Sequence, residues 1–202
     1  YASSASHYSS VANLLAAKAH LFQQSSGVRW ELSFFGPDDT APEFSRYNVL
    51  VIESGEAFRT GPNRNSDLER ARPDYSGILH NKAAIIAARG DRTFISATDG
   101  DLHALRGDSG AAAPDDMQWR WNGARGHFIN AVNWAGSGKG LGIVAWCDCE
   151  FPGAAWWQHA DSFLRDELAG RVKYFRDNAP NIPDAAARLY LNHGLTSKGL
   201  SN

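Results

Sequence analysis

The stretch Tyr-Asn-Val-Leu-Val-Ile at residues 47–52 decides the fold class, because it is a nearly continuous apolar run between polar segments. Such a run, without strict alternation of polar residues, is typical of a parallel strand that is covered on both faces. Residues 141–146 have the same character, and residues 93–97 form another short β-branched run. These three runs predict the strands of a buried sheet.

Segments with helical periodicity separate the strands. They cover residues 11–22, with Ser9 or Ser10 as a cap, and residues 78–88, 126–135 and about 161–168. Residues 28–35 are predicted as a further strand that ends at the turn 36–39, and residues 171–175 as an edge strand. The alternation predicts an α/β fold with three layers: a mostly parallel, flavodoxin-like or Rossmann-like sheet with helices on both faces.

Length and charge limit the organisation and the partners of the chain. Its 202 residues suffice for one α/β domain, in which residues 1–9 form an N-terminal extension and residues 178–202 an irregular tail. The net charge of −2 and the absence of a basic cluster argue against binding of nucleic acid. No apolar stretch approaches the roughly 18 residues of a membrane span.

The composition also bears on cellular context and on the cysteines. Four features favour an extracellular or periplasmic protein: the first residue is Tyr1, the start is rich in Ser, and the chain has a single Met and seven Trp. Cys147 and Cys149 are separated by one residue, and a disulfide across so short a loop is strained. We expect small thiols that are buried or half-buried, with a metal-binding or redox pair as the alternative.

Acidic residues follow three of the predicted strands. Because the carboxyl ends of parallel strands meet at one edge of the sheet, these segments are expected to converge there. Asp99, Asp101, His103 and Asp148 are the ligands of a predicted site for a hard divalent cation, Ca²⁺ or Mg²⁺. Glu53 and Glu150 complete the rim as binding residues. The alternative is that these acids are ordinary solvated or capping residues of loops.

Tryptophans and glycines provide further candidates. The pairs Trp119/Trp121 and Trp156/Trp157 lie in predicted loops, where they serve either packing within the domain or an interaction surface for carbohydrate or protein. Residues 136–140, Gly-Ser-Gly-Lys-Gly, resemble a phosphate loop but lie between a helix and a strand, the reverse of the required order. We interpret them as a helix-to-strand turn.

This layout resembles the class I glutamine-amidotransferase-like fold and its ThuA-like branch. The likeness spans roughly residues 10–150 and rests on the helix 11–22, the strands 49–53 and 94–97, and the segment 130–135 that leads to residues 140–144. The family's catalytic Cys elbow is absent, because Thr98-Asp99-Gly100-Asp101 follows the corresponding strand. The resemblance therefore does not imply amidotransferase activity, and it implies that a first strand would precede Tyr1.

Two functional hypotheses follow. The first is a non-catalytic, exported or surface-associated binding or assembly domain, which associates with itself or with carbohydrate. The second is a metal-dependent hydrolase of a sugar, phosphate or ester, in which the predicted cation activates water and Glu53 or Glu150 acts as the base.

Overall fold

A computed structural model describes residues 1–2, 23, 26–54, 74–96, 100–101, 104, 124–147 and 156–168. The strands are β1 (Val49–Ile52), β2 (Arg89–Ser96) and β3 (Leu141–Trp146). The helices are α1 (Ser76–His80), α2 (Lys82–Ala88), α3 (Ala124–Gly136) and α4 (Arg165–Leu168). Short 3-10 helices cover Phe44–Arg46 and Trp156–Gln158.

The three strands form one parallel sheet in the order β1-β3-β2. Val49 pairs with Gly142 at one end of the β1–β3 ladder, and Ile52 pairs with Ala145 at the other. On the opposite side of β3, Ser96 of β2 pairs with Trp146. The sheet confirms the predicted parallel α/β fold, and the strand predicted at residues 141–146 has the predicted bounds.

Different helices cover the two faces of the sheet. On the α1–α2 face, Ile78 and Ile85 are fully buried in one hydrophobic cluster with Leu50 and Ile52 of β1. On the α3 face, a second cluster joins α3 to Val144 and Trp146 of β3. The side chains of Phe128, Val132 and Ala135 are all buried in this second cluster, as their helical spacing predicts. The sheet is thus the middle of three layers.

Helix α3 and strand β3 approach so closely that their contact requires glycine. A Cβ atom on Gly142 would overlap the carbonyl oxygen of Ala135. Gly140, in the turn between α3 and β3, has a φ of +70°, which favours glycine strongly over residues with a side chain. The glycine-rich segment 136–140 is therefore the predicted helix-to-strand turn.

The same turn is joined to the start of β2. The Lys139 N–H donates to a carboxylate oxygen of Asp91 at 2.9 Å, and the Asp91 N–H donates to the Lys139 carbonyl at 3.1 Å. Gly90 packs directly against Lys139, and the register of β2 shifts between Arg89 and Thr93. The Arg-Gly-Asp sequence at residues 89–91 thus belongs to the first residues of a strand and supports a turn.

The prediction of a strand at residues 28–35 is wrong, because this segment belongs to no sheet. The Phe35 carbonyl accepts from the Ala2 N–H at 2.9 Å, and the Trp30 carbonyl accepts from the side-chain amide of Gln23. The helix predicted at residues 78–88 is divided at Asn81 into α1 and α2. The predicted helix 11–22 and the edge strand 171–175 lie outside the described residues.

Substitution of Gly142 by Ala tests the close approach of α3 and β3. We expect the added methyl group to lower the free energy of unfolding by about 1–3 kcal/mol, because it overlaps a main-chain oxygen that cannot move independently. Urea unfolding followed by circular dichroism measures the change. Gly136→Ala is the matched control, since a Cβ there would make only ordinary contacts with Val49 at 3.7 Å. Equal effects of the two substitutions would contradict this packing.

Candidate functional site

The carboxyl edge of the sheet carries polar residues that are almost completely buried. Glu53 and Ser54 follow β1, Asp101 lies beyond β2, and Cys147 follows β3. Their exposed fractions are 2%, 1%, 0% and 3%, respectively. The acidic segments after β1 and β2 therefore meet at this edge, but inside the protein and not on a solvated rim.

Hydrogen bonds explain how the buried edge is held together. The Ser54 N–H donates to a carboxylate oxygen of Asp101 at 2.9 Å, which joins the end of β1 to the segment after β2. The Tyr75 hydroxyl donates to the Glu53 carbonyl at 2.9 Å. The Cys147 N–H donates to the Ser96 carbonyl at 2.6 Å and extends the contact between β2 and β3. Asp101 thus has an architectural role in addition to any chemical one.

The environment of Tyr75 disfavours any further negative charge at this edge of the sheet. Burial raises the pKa of the Tyr75 hydroxyl well above its usual range, and the negative charges of Glu53 and Asp101 raise it further. Both effects act in the same direction because a tyrosinate would place one more anion in a region from which water is excluded. Tyr75 is therefore a hydrogen-bond donor here at neutral pH.

Most residues of the predicted cation site lie outside the described part of the chain. Asp99, His103, Asp148 and Glu150 are not among the described residues, whereas Glu53 and Asp101 are. Within the described residues, no group of three or more His, Cys, Asp or Glu side chains is arranged to hold a metal ion. The site for Ca²⁺ or Mg²⁺ stays a prediction.

The path of the chain locates where such a site would be. Strand β2 continues to α3 on one face of the sheet, and β3 continues to Phe163 and Leu164 on the other face. In parallel sheets, ligands bind between adjacent strands whose continuations diverge in this way. That position is the carboxyl end of the β2–β3 pair, where the described residues end at Ser96 and Cys147.

The cysteine and tryptophan predictions are resolved in part. Cys147 is a buried cysteine, which agrees with the expected small buried residue; Cys149 is outside the described residues. Trp156 is 4% exposed and packs against Tyr75 and Phe163, with ring centroids 5.9 and 5.7 Å apart. Packing within the domain is thus the alternative that the structure shows for Trp156.

Trp157 is half-buried and packs edge-on against Trp156, with 6.4 Å between the ring centroids. The other predicted aromatic pair, Trp119 and Trp121, lies outside the described residues. An interaction surface made by these tryptophans therefore stays a prediction.

A cavity of about 850 Å³ lies along β1, on the edge that faces away from β3. We call it the β1 cleft. Phe128 and Val132 of α3 line one side of it, and Phe44 lines another; the segment 28–35 forms its outer wall. Its volume lies within the range of ligand sites in proteins.

Exposed apolar side chains are concentrated in the β1 cleft. Among the described residues, the large hydrophobic side chains that are exposed are those of Val28, Leu32, Tyr47 and Ile86. The first three line the cleft, and only Ile86 lies elsewhere. Apolar groups concentrated in one concave surface are a mark of binding sites, since scattered exposed residues are ordinary.

One aromatic residue fixes the outer wall to the body of the domain. The Trp30 indole N–H donates to the side-chain oxygen of Asn133 at 2.8 Å, and the Trp30 ring lies 6.3 Å from that of Phe128. Sequence reasoning missed this cleft because residues 28–35 were predicted as a strand that ends at the turn 36–39. In the structure, all of the residues 28–35 line the cleft.

Comparisons with family models, with curated proteins and with solved structures found no match to this chain. The resemblance to the amidotransferase-like fold therefore stays a prediction. The parallel sheet with helices on both faces is compatible with it.

Substitution of Tyr75 by Phe tests the electrostatics of the carboxyl edge. At about pH 8 we expect the variant to be less stable by about 1 kcal/mol, because it lacks the hydrogen bond to Glu53. A raised pKa gives stability that is present below the pKa of the unfolded tyrosine and is lost at higher pH. The stability of the wild type relative to the variant should therefore fall by about 1 kcal/mol between pH 10 and pH 11.

The measurement is the free energy of unfolding of both proteins in urea across this pH range. The remaining tyrosines are common to both proteins, so that the difference reports on position 75. A difference that stays constant from pH 8 to pH 11 would show that Tyr75 ionises as an exposed tyrosine does.

Proposed function

We propose that the protein is a non-catalytic binding or assembly domain that takes its ligand in the β1 cleft. The domain uses an amidotransferase-like scaffold without its thiol nucleophile, in an exported or surface-associated protein. Self-association and carbohydrate binding are the two kinds of interaction that the sequence favours.

The observation that carries the proposal is the coincidence of the cavity with the exposed apolar side chains. Three large hydrophobic side chains that are exposed to solvent line the cavity of about 850 Å³: Val28, Leu32 and Tyr47. Leaving such side chains exposed forgoes hydrophobic stabilisation, at about 25 cal/mol for each Å² of apolar surface. A ligand that covers them recovers this free energy on binding.

The carboxyl edge provides weaker support for catalysis. Asp101 is completely buried and accepts the main-chain hydrogen bond from Ser54. Cys147, which is the cysteine among the described residues, is also buried. A nucleophile must be reached by substrate, whereas Asp101 joins the end of β1 to the segment after β2 and Cys147 extends the contact between β3 and β2. Among the described residues, no helix is long and apolar enough to span a membrane.

Leu32→Lys and Ile86→Lys form a matched pair that tests the cleft. Both wild-type side chains are exposed, but only Leu32 lines the cavity. The probe is 8-anilino-1-naphthalenesulfonate, which binds apolar surfaces. We expect Leu32→Lys to weaken binding of the dye about tenfold, because a charge in the cleft must be desolvated. Ile86→Lys should bind the dye as the wild type does.

Circular dichroism and light scattering accompany the titration, so that a loss of fold or a change of oligomeric state is detected. Equal weakening by both substitutions would contradict a specific cleft. A wild-type protein that is monomeric, binds no dye and binds no glycan would overturn the proposed function.

A further inference from the structure

The outer edge of β1 has main-chain groups that can pair with another strand. The Gly142 N–H donates to the Asn48 carbonyl, which assigns the even-numbered residues of this stretch to the ladder with β3. In a parallel ladder, Val49 and Val51 then direct their N–H and C=O groups to the opposite edge. Within the described residues, the Val49 groups and the Val51 N–H make no hydrogen bond on that edge.

Residues Tyr1 and Ala2 show what fits beside β1. The terminal ammonium of Tyr1 donates to the Val51 carbonyl at 2.6 Å, and the Ala2 N–H donates to the Phe35 carbonyl at 2.9 Å. Residues 1–2 therefore bridge β1 and the segment 28–35, as a strand between them would. At this end of the cleft, β1 and the segment 28–35 are thus two strand spacings apart, about 9–10 Å.

The surroundings of the cleft define the side chains that an occupant would need. Phe128 and Val132 of α3 line one face, and Pro42 and Phe44 line the other. A strand placed between them would be covered on both faces, as β3 is. Strands in that environment have consecutive apolar side chains without polar alternation.

We infer that the β1 cleft binds an extended polypeptide strand from a partner chain, with apolar side chains on both faces and main-chain hydrogen bonds to Val49 and Val51. This inference rests on the proposed function and names the class of its ligand. The contacts of Tyr1 and Ala2 occupy one end of the cleft, so that the added strand lies along β1 toward Asn48. Addition of a strand to an open sheet edge is a common mode of peptide recognition.

Because the main chain makes the contacts, a proline tests the inference directly. Val49→Pro removes an N–H that faces the cleft and leaves the ladder with β3 without loss of a hydrogen bond. Val49→Thr is the control, since it keeps both the β-branched shape and the N–H. The probe is the blocked peptide Lys-Val-Ile-Val-Ile-Lys, and Lys-Ser-Gly-Ser-Gly-Lys serves as its polar counterpart.

Isothermal titration calorimetry should show binding of the apolar peptide to the wild type and to Val49→Thr. Val49→Pro should bind it about tenfold more weakly, and the polar peptide should not bind. If Val49→Pro fails to fold, amide hydrogen exchange of the wild type provides the same test. The apolar peptide should then slow the exchange of Val49 and Val51 selectively.

Equal affinity of Val49→Pro and Val49→Thr, or no protection of the two valine amides, would overturn the inference. So would a result in which the same apolar strand stabilises the protein only when it is fused ahead of Tyr1, because the strand would then belong to the chain itself. Dye binding that Leu32→Lys abolishes, without any peptide binding, would leave the proposed function intact and refute the strand as ligand.

Discussion

The structure depends on the complete burial of β3. All six of its residues are buried, both of its edges are paired, and both of its faces are covered by helices. The start of β3 requires glycine at two positions. Gly142 packs closely against α3, and Gly140 turns the chain with a positive φ. The side chains of β3 belong to both hydrophobic clusters, and their burial stabilises the layers on either side of the sheet.

Because β3 is paired on both sides, the open edges of the described sheet are those of its neighbours β1 and β2. Strand β1 uses half of its main-chain groups to pair with β3 and directs the other half away from it. Open edges invite pairing with further strands, and proteins usually shield them. Among the described residues, Tyr1 and Ala2 cover the end of this edge near Val51, and the segment 28–35 lies about two strand spacings from β1. Among the surfaces of the described residues, the outer edge of β1 is therefore one that is suited to binding.

The sequence predicted the centre of the fold well because burial there leaves a clear pattern. The unbroken apolar run at residues 141–146 and the helical spacing of Phe128, Val132 and Ala135 each admit one interpretation. Alternation in residues 28–35 does not, since it specifies an apolar side but not a hydrogen-bonding partner. In the structure, the segment 28–35 lines a cleft instead of pairing in the sheet.

The candidate site was predictable in outline only. Strand order brings Glu53 and Asp101 to one edge, as expected from a parallel sheet. Their burial depends on Tyr75, Trp156 and other side chains from distant parts of the chain, and sequence spacing contains no information on that packing. For the same reason, Trp156 could not be assigned to the core from its position in a predicted loop.

Amide hydrogen exchange of the four β1 residues, followed by NMR, tests this account most directly. Leu50 and Ile52 donate to β3 and should exchange only on extensive unfolding, whereas Val49 and Val51 should exchange about a hundredfold faster or more. Such an alternation within four residues would show an edge that is open in solution. Equal protection of all four amides would show that β1 is already paired on both sides, and would remove the cleft as a binding site.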